Sequence, residues 1–263
     1  MRYGFVVPWA DADDLGHLAA TAEASGWDGL FVWEPVWGVD AWVSLGLAAA
    51  RTSTIRLGTM LTPPSRRRPW ELASQVATVD RLSGGRVTLS VGLGAIDSGF
   101  EAFGEECDRR VRAELLDECL DVVCGLWGGQ PFEYSGEHYR VRPTAFPTIG
   151  HTFQQPRVPI WCVGALGRPR SMERAMRWDG LIPQVVEGGT ARQPTLEEVA
   201  GLRELVADPG FDIVVEGEGD DHSPAAWADA GATWWIESLW SAVSEADAVA
   251  AVTDRLRDGP PPR

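Results

Sequence analysis

The chain alternates between short apolar runs and longer segments in which apolar residues recur with helical spacing. Residues 55–62 and 87–91 are runs typical of buried strands, and between them Leu72, Val76 and Val79 fall on one face of a helix. The connections within this strand–helix–strand unit are short, which is typical of neighbouring strands in a parallel sheet.

The same alternation extends along the whole chain. The apolar runs that we interpret as strands are residues 3–8, 29–34, 55–62, 87–91, 160–163, 180–182, 211–215 and 233–236. Helical segments separate most of them, and Thr195 with Glu198 has the spacing of a capping box for one of these helices. The pattern predicts an α/β fold, a (β/α)8 TIM barrel, that occupies residues 1–263 as a single domain.

One region departs from this alternation. A long amphipathic helix is predicted over residues 108–127, and the segment after it contains two aromatic runs, at 132–134 and 139–141. Ser135-Gly136-Glu137 between these runs is typical of a hairpin turn. We therefore predict a helix-hairpin insertion after the fourth strand, with residues 128–158 as the insertion segment.

The composition excludes several classes of function. A formal charge of −15 argues against a nucleic-acid partner, which needs a basic face. All basic residues are arginine, so no lysine is present for Schiff-base chemistry. The four cysteines show no CxxC spacing and the four histidines form no HExxH pair, so we expect no metal site. No run reaches 18 apolar residues and a strand follows Met1 directly, so we expect no membrane span and a cytoplasmic protein.

Four short motifs connect the chain to a known family: Leu57-Gly58-Thr59, Arg66–Pro69, Asp80–Arg86 and Val91–Gly94. Together they resemble the luciferase-like monooxygenase superfamily, and the resemblance extends from Tyr3 to about Pro183. It implies a TIM-barrel oxidoreductase, usually a homodimer, that uses F420 or FMN. The reaction implied is hydride transfer or monooxygenation on a small organic substrate. It also implies a non-prolyl cis peptide near the end of the third strand, at Thr59–Met60 or Met60–Leu61.

The candidate catalytic residue is Glu34, because family members with F420 often carry an acid at the end of the second strand. The resemblance is incomplete here, since Pro35 replaces the histidine that usually follows, and Ala95 stands where some members have a glutamate. Trp9 and Trp37, also near strand ends, are assigned to the substrate pocket.

Strand ends and the loops after them also supply the candidate cofactor residues, because TIM barrels bind ligands there. Glycines at strand ends give clearance for the flat ring of a cofactor. The arginines at 66–68 offer a counter-charge for its anionic tail. The loop after the fifth strand brings a helix N-terminus to the same face, where it could bind an anionic group. The residues assigned to cofactor binding are Trp33, Met60, Thr62, Arg67, Gly92, Gly94, Gly164, Ala165, Gly167, Arg168 and Ser171.

Other interpretations of the same residues stay open. The glycines at 92 and 94 also suit a tight exit from a strand, and the arginine cluster also suits a loop with local ion pairs. The missing histidine is compatible with a non-catalytic flavin-binding or carrier protein. Three acids, Glu34, Glu218 and Glu237, are possible carboxylates for a glycoside hydrolase.

Overall fold

The computed structural model describes residues 1–145, 151–188, 190–217, 223–240 and 245–262. In chain order its elements are β1 (Arg2–Val7), α1 (Ala12–Ala24), β2 (Gly29–Val32), α2 (Ala41–Arg51), β3 (Arg56–Thr59), α3 (Pro69–Ser83), β4 (Val87–Val91), α4 (Arg109–Trp127), β5 (Phe132–Ser135), β6 (Arg140–Thr144), β7 (Ile160–Leu166), α5 (Pro169–Ala175), β8 (Gly180–Glu187), β9 (Thr190–Arg192), α6 (Leu196–Leu205), β10 (Asp212–Gly217), α7 (Pro224–Asp229), β11 (Trp234–Glu237) and α8 (Glu245–Arg257).

The main sheet closes on itself. Its strand order is β10-β11-β1-β2-β3-β4-β7-β8, all parallel, and a further pairing of β10 with β8 completes the circle. The predicted TIM barrel is therefore confirmed. Strand β9, which the sequence pattern did not predict, lies antiparallel to β8 as an extension outside the barrel. The antiparallel pair β5–β6 lies inside the predicted segment 128–158.

Alternation along the strands separates an inner core from an outer one. Eight side chains pack inside the barrel: Val6, Phe31, Met60, Trp161, Ile182, Val214, Trp234 and Ile236. The large rings of Phe31, Trp161 and Trp234 contact one another at 5.3 to 6.0 Å between centroids. The opposite faces of the same strands pack against the helices in a second, larger cluster.

Polar groups close the amino-terminal end of the barrel. Asp212 accepts hydrogen bonds from Arg2 at 2.6 Å and from the indole of Trp161 at 3.1 Å. The guanidinium of Arg2 also lies over the ring of Trp234, 4.5 Å from its centroid. With its inner space filled and this end capped, the barrel has its opening at the carboxyl ends of the strands.

The motif at residues 80–86, which contributes to the family resemblance, has structural contacts. Asp80 is completely buried and accepts hydrogen bonds from the backbone N–H groups of Phe153 and Gln154. Arg86 donates to the carbonyl oxygens of Ala49, Thr52 and Ile55. These bonds tie the entry to β4 to the end of α2 and to the segment before β7.

The predicted capping box at the start of α6 is confirmed. Thr195 accepts a hydrogen bond from the backbone N–H of Glu198, and Glu198 accepts one from the N–H of Thr195. Arg192 adds two hydrogen bonds to the same carboxylate, each 3.0 Å long. These bonds, those from Arg192 first, lower the pKa of Glu198 to about 2.

In the described part of the chain, no helix is long and apolar enough to cross a membrane. The same residues contain no group of three His, Cys, Asp or Glu side chains that could hold a metal ion.

Candidate active site

Four predicted site residues lie in the innermost layer at the open end of the barrel: Trp33, Met60, Gly92 and Ala165. Side chains two residues apart in a strand point to the same side of the sheet. Phe31 and Val163, two residues before Trp33 and Ala165, pack inside the barrel, so Trp33 and Ala165 also face inwards. The peptide bond between Met60 and Leu61 is a non-prolyl cis bond, one of the two positions expected from the family resemblance. The prediction that these strand ends meet at one place agrees with the structure.

The predicted tryptophans Trp9, Trp33 and Trp37 line one cavity of about 600 Å³. The cavity lies between the loops that follow β1 and β2. The rings of Trp9 and Trp33 meet edge to face at 4.9 Å between centroids. Trp33 also contacts the ring of Trp240, at 6.2 Å, on the side of the last strand. Trp33 thus connects this cavity to the mouth of the barrel.

Glu34 occupies a different place from the one expected for a catalytic acid. It follows the inward-facing Trp33, and its side chain turns to the outside of the barrel wall. Its Oε1 accepts from Nε of Arg67 at 3.0 Å and from Arg66 at 3.3 Å. Its Oε2 accepts from the hydroxyl of Thr62 at 2.7 Å, and only 5% of the residue is exposed. The geometry makes Glu34 an ion-pair acceptor between β2 and the segment after β3.

Thr62, for which the sequence suggested a cofactor contact, lies in the wall of the barrel. The residue is completely buried. Besides its bond to Glu34, its hydroxyl oxygen lies 3.0 Å from that of Thr59. The bonds to Glu34 and Thr59 therefore use the hydroxyl of Thr62 within the barrel wall.

The arginine cluster forms local ion pairs rather than an open counter-charge. Arg66 and Arg67 share a cavity of about 240 Å³ with three carboxylates, those of Glu34, Asp40 and Glu105. Burial lowers the pKa of Arg66. Burial also opposes the charge of Arg67, but the neighbouring carboxylates of Glu34, Asp40 and Glu71 together outweigh it and the pKa of Arg67 is raised. The interpretation as a loop with ion pairs therefore fits the structure better than that of a cofactor site.

Glycine at 92 and 94 suits the packing of the protein's own side chains. A Cβ on Gly92 would lie 2.8 Å from Leu61 and 3.0 Å from Val163. At Gly94 it would lie 2.8 Å from Phe100, and the φ of +75° also favours glycine. The tight strand exit explains both glycines, while clearance for a flat ring stays a prediction.

The segment after the fifth barrel strand differs from the prediction because β7 is longer than expected. Gly164 and Ala165 belong to the strand, and a Cβ on Gly164 would lie 2.2 Å from Leu181. Gly164 therefore allows the packing of the wall, and its contact with a phosphate stays a prediction. The hydroxyl of Ser171 already accepts a hydrogen bond from the N–H of Ala165 at 3.0 Å. Gly167, with a φ of +73°, and the exposed Arg168 form the turn itself.

Two polar residues of the mouth were missed in the sequence: Glu216 and Ser238. Each lies two residues beyond an inward-facing apolar residue, Val214 or Ile236. Extension of the period-two pattern by one step would have found them. Glu216 is half-buried and accepts a hydrogen bond of 2.5 Å from the indole of Trp240. The hydroxyl of Ser238 is buried and has no protein partner among the described residues.

The acids proposed for a glycoside hydrolase do not form a catalytic pair. Glu34 is bound to two arginines, and Glu237 forms a bidentate ion pair with Arg255, whose NH2 lies at 2.6 Å. The third acid, Glu218, lies outside the described residues. This alternative therefore loses its support in the described part of the chain.

The family model for luciferase-like monooxygenase matches residues 1–234 of this chain. The chain belongs to this family. An uncharacterized protein of Mycobacterium tuberculosis is 34% identical over 227 residues, which are 83% of this chain and 75% of the relative. An F420-dependent glucose-6-phosphate dehydrogenase of Amycolatopsis mediterranei is 28% identical over 212 residues, 71% of this chain and 62% of that enzyme.

Solved structures agree on the fold. An F420-dependent tetrahydromethanopterin reductase of Methanopyrus kandleri superposes with a TM-score of 0.73 at 16% identity, covering 96% of this chain and 97% of the other. A Baeyer–Villiger monooxygenase of Pseudomonas putida in complex with FMN gives 0.62 at 16% identity, covering 90% and 66%. The predictions of the family and of a luciferase-like oxidoreductase are therefore confirmed, and both predicted cofactors occur among these proteins.

Proposed function

We propose that this protein binds F420 or FMN at the mouth of its barrel and oxidises or reduces a small organic substrate. The proposal rests mainly on the small residues that line the inner layer of the barrel mouth, in a chain that belongs to this family. Gly92, Ala165 and Ser238 present little bulk there, and Trp33 joins the mouth to an aromatic cavity. The buried hydroxyl of Ser238, without a protein partner among the described residues, suits a polar edge of such a cofactor.

The bound cofactor would supply the redox chemistry, while the protein binds, orients and excludes water. We propose that the turn at Gly167 and Arg168 holds the anionic tail. Arg168 is exposed, whereas Arg66 and Arg67 are already paired with carboxylates. Helix α5 has only 7 residues, so the side chain of Arg168 has a larger part in this proposal than the helix dipole.

For proton transfer we propose Glu216 in place of Glu34. Glu216 faces the mouth from β10 beside Trp240, while Glu34 lies on the other side of the wall. The hydrogen bond from Trp240 fixes the orientation of the carboxyl group. Its partial exposure lets it exchange a proton with a bound substrate and then with solvent.

We further propose that the protein acts as a homodimer in the cytoplasm. The family resemblance supports the dimer, and the cysteines at 107, 119, 124 and 162, all free, suit a reducing compartment. Light scattering of the purified protein at several concentrations tests the dimer, and a single monomeric mass would refute it.

A titration of the purified protein with FMN and with F420, followed by absorption spectroscopy, tests the main proposal. We expect saturable spectral change with one of them, followed by turnover when a substrate is supplied. Saturable binding of neither cofactor would refute the proposal. Binding with no turnover across a panel of alcohols, aldehydes and ketones would favour a carrier protein instead.

A further inference from the structure

The cavity beside Trp33 is apolar over most of its wall. Its lining includes the rings of Trp9, Trp37 and Phe103 and the side chain of Val39, all of them at least 36% exposed. A volume of about 600 Å³ is in the range of pockets for small molecules. Exposed aromatic rings around such a space gain free energy when an apolar ligand covers them. We call this space the aromatic cavity.

The charged groups of the aromatic cavity are all acidic. Among the described lining residues, the only ionisable side chains are those of Asp11 and Asp14. The hydroxyl of Ser44 donates to the carbonyl of Asp40 at 2.9 Å, and that of Ser98 to the carbonyl of Ala95 at 2.6 Å. The described walls therefore offer an anion no cationic side chain and no uncommitted hydroxyl donor.

The neighbouring arginines do not change this charge balance. Residues 35–39 and Ala41 line the aromatic cavity on one side and the cavity of Arg66 and Arg67 on the other. The two guanidinium groups are turned to Glu34 behind this wall, with Arg66 itself only 6% exposed. A phosphate in the aromatic cavity would lose water and meet carboxylates without a compensating cation, which is costly.

We propose that the aromatic cavity binds the substrate and selects an uncharged molecule with an apolar ring or branched alkyl skeleton, excluding phosphorylated substrates. This inference rests on the proposed function and names the substrate class of that site. It separates this chain from its relative whose name specifies glucose 6-phosphate, since a sugar phosphate presents hydroxyls and two negative charges.

Binding of 1-naphthol and 1-naphthyl phosphate to the cofactor-free protein, measured by tryptophan fluorescence, tests the selection. The two probes share one ring system and differ in charge. We expect 1-naphthol to bind at least about tenfold more tightly, as expected for carboxylates near a dianion. The double substitution of Asp11→Asn and Asp14→Asn should reduce this ratio, with the N-cap of α1 retained because asparagine also caps helices.

A pair of tryptophan variants locates the probe. Trp37→Ala should weaken 1-naphthol binding about fivefold, a typical value for one lost aromatic contact. Trp70→Ala removes an exposed tryptophan of α3 outside this cavity and should leave the affinity unchanged. Equal losses in the two variants, no binding of 1-naphthol, or tighter binding of the phosphate would each overturn the inference.

The cofactor titration separates the two proposals. If FMN or F420 binds and 1-naphthol does not, the substrate class is wrong and the proposed function stands. If 1-naphthol binds with the expected selectivity and neither cofactor binds, the cavity is selective but the proposed function is wrong.

Discussion

The substitution of Glu34 by glutamine distinguishes a structural carboxylate from a catalytic one. In the folded protein this carboxylate accepts hydrogen bonds from Arg66, Arg67 and Thr62. Glutamine keeps the size of the side chain but removes the charge and replaces one acceptor oxygen with an NH2 donor. Turned one way, that NH2 group faces a guanidinium, which is also a donor; turned the other way, it can donate to the hydroxyl oxygen of Thr62, and only the charge is lost.

The expected cost follows from burial. The side chains of Glu34, Arg66 and Arg67 are 3%, 6% and 19% exposed, so water replaces little of the lost interaction. Removal of one partner from a buried ion pair typically costs about 3–5 kcal/mol. Glutamine retains one acceptor and Asp40 lies 3.8 Å from Arg67, so we expect a smaller loss, about 2–4 kcal/mol of unfolding free energy. For a chain of this size that corresponds to a decrease in Tm of about 4–8 °C.

Urea and thermal unfolding followed by circular dichroism measure this loss, and turnover per folded molecule is measured on the same preparation. Glu71→Gln is the matched control, because Glu71 is an exposed acid in the first turn of α3. We expect Glu34→Gln to lose stability and to retain turnover within about twofold, while the control retains both. A Glu34→Gln protein as stable as the wild type but at least about tenfold slower would refute the structural role and restore Glu34 as a general acid.

Three further predictions address the proposed site and the helix cap. Glu216→Gln should reduce turnover per folded molecule about a hundredfold in steady-state assays, the usual contribution of a general acid or base; unchanged turnover would exclude it as the proton-transfer group. Arg168→Ala should weaken cofactor binding by about 1–3 kcal/mol in a titration, whereas Arg170→Ala on the next exposed arginine should not; equal effects would place the anion elsewhere. Because folding lowers the pKa of Glu198 to about 2, its ion pair stabilises the fold above the unfolded pKa near 4.5 and loses its effect as the pH falls towards 2. Glu198→Gln should flatten the dependence of the urea midpoint on pH in that window, while Glu197→Gln should leave the dependence as in the wild type.

Much of the fold was predictable because its signals are local. Apolar runs about five residues long, separated by amphipathic segments, identified the barrel strands before any contact was known. The capping box at Thr195 and Glu198 was equally visible, because its hydrogen bonds join residues three positions apart. Strand β9 was missed because its three exposed residues carry no apolar pattern and depend on their pairing with β8.

The placement of strand ends around the mouth was also predictable, since parallel strands in a barrel end on one face. Trp9, Trp33 and Trp37 were expected near one pocket and do line one cavity. What the sequence interpretation lacked was the inner or outer direction of each side chain. Continued alternation would have assigned Glu216 to the mouth and Glu34 to the outside.

By itself the sequence determined the family and the barrel, because periodicity and short motifs record local geometry. Only the tertiary structure decided which of the residues at the strand ends face the mouth and which have partners inside the protein. Glu34 meets Arg67, 33 positions away in the chain, and Gly164 leaves room for Leu181 of the next barrel strand. Such contacts depend on strand length, register and the packing of helices on the wall. Glu34 and Gly164, which resemble ligand-site residues in the sequence, therefore serve ion pairing and packing within the protein.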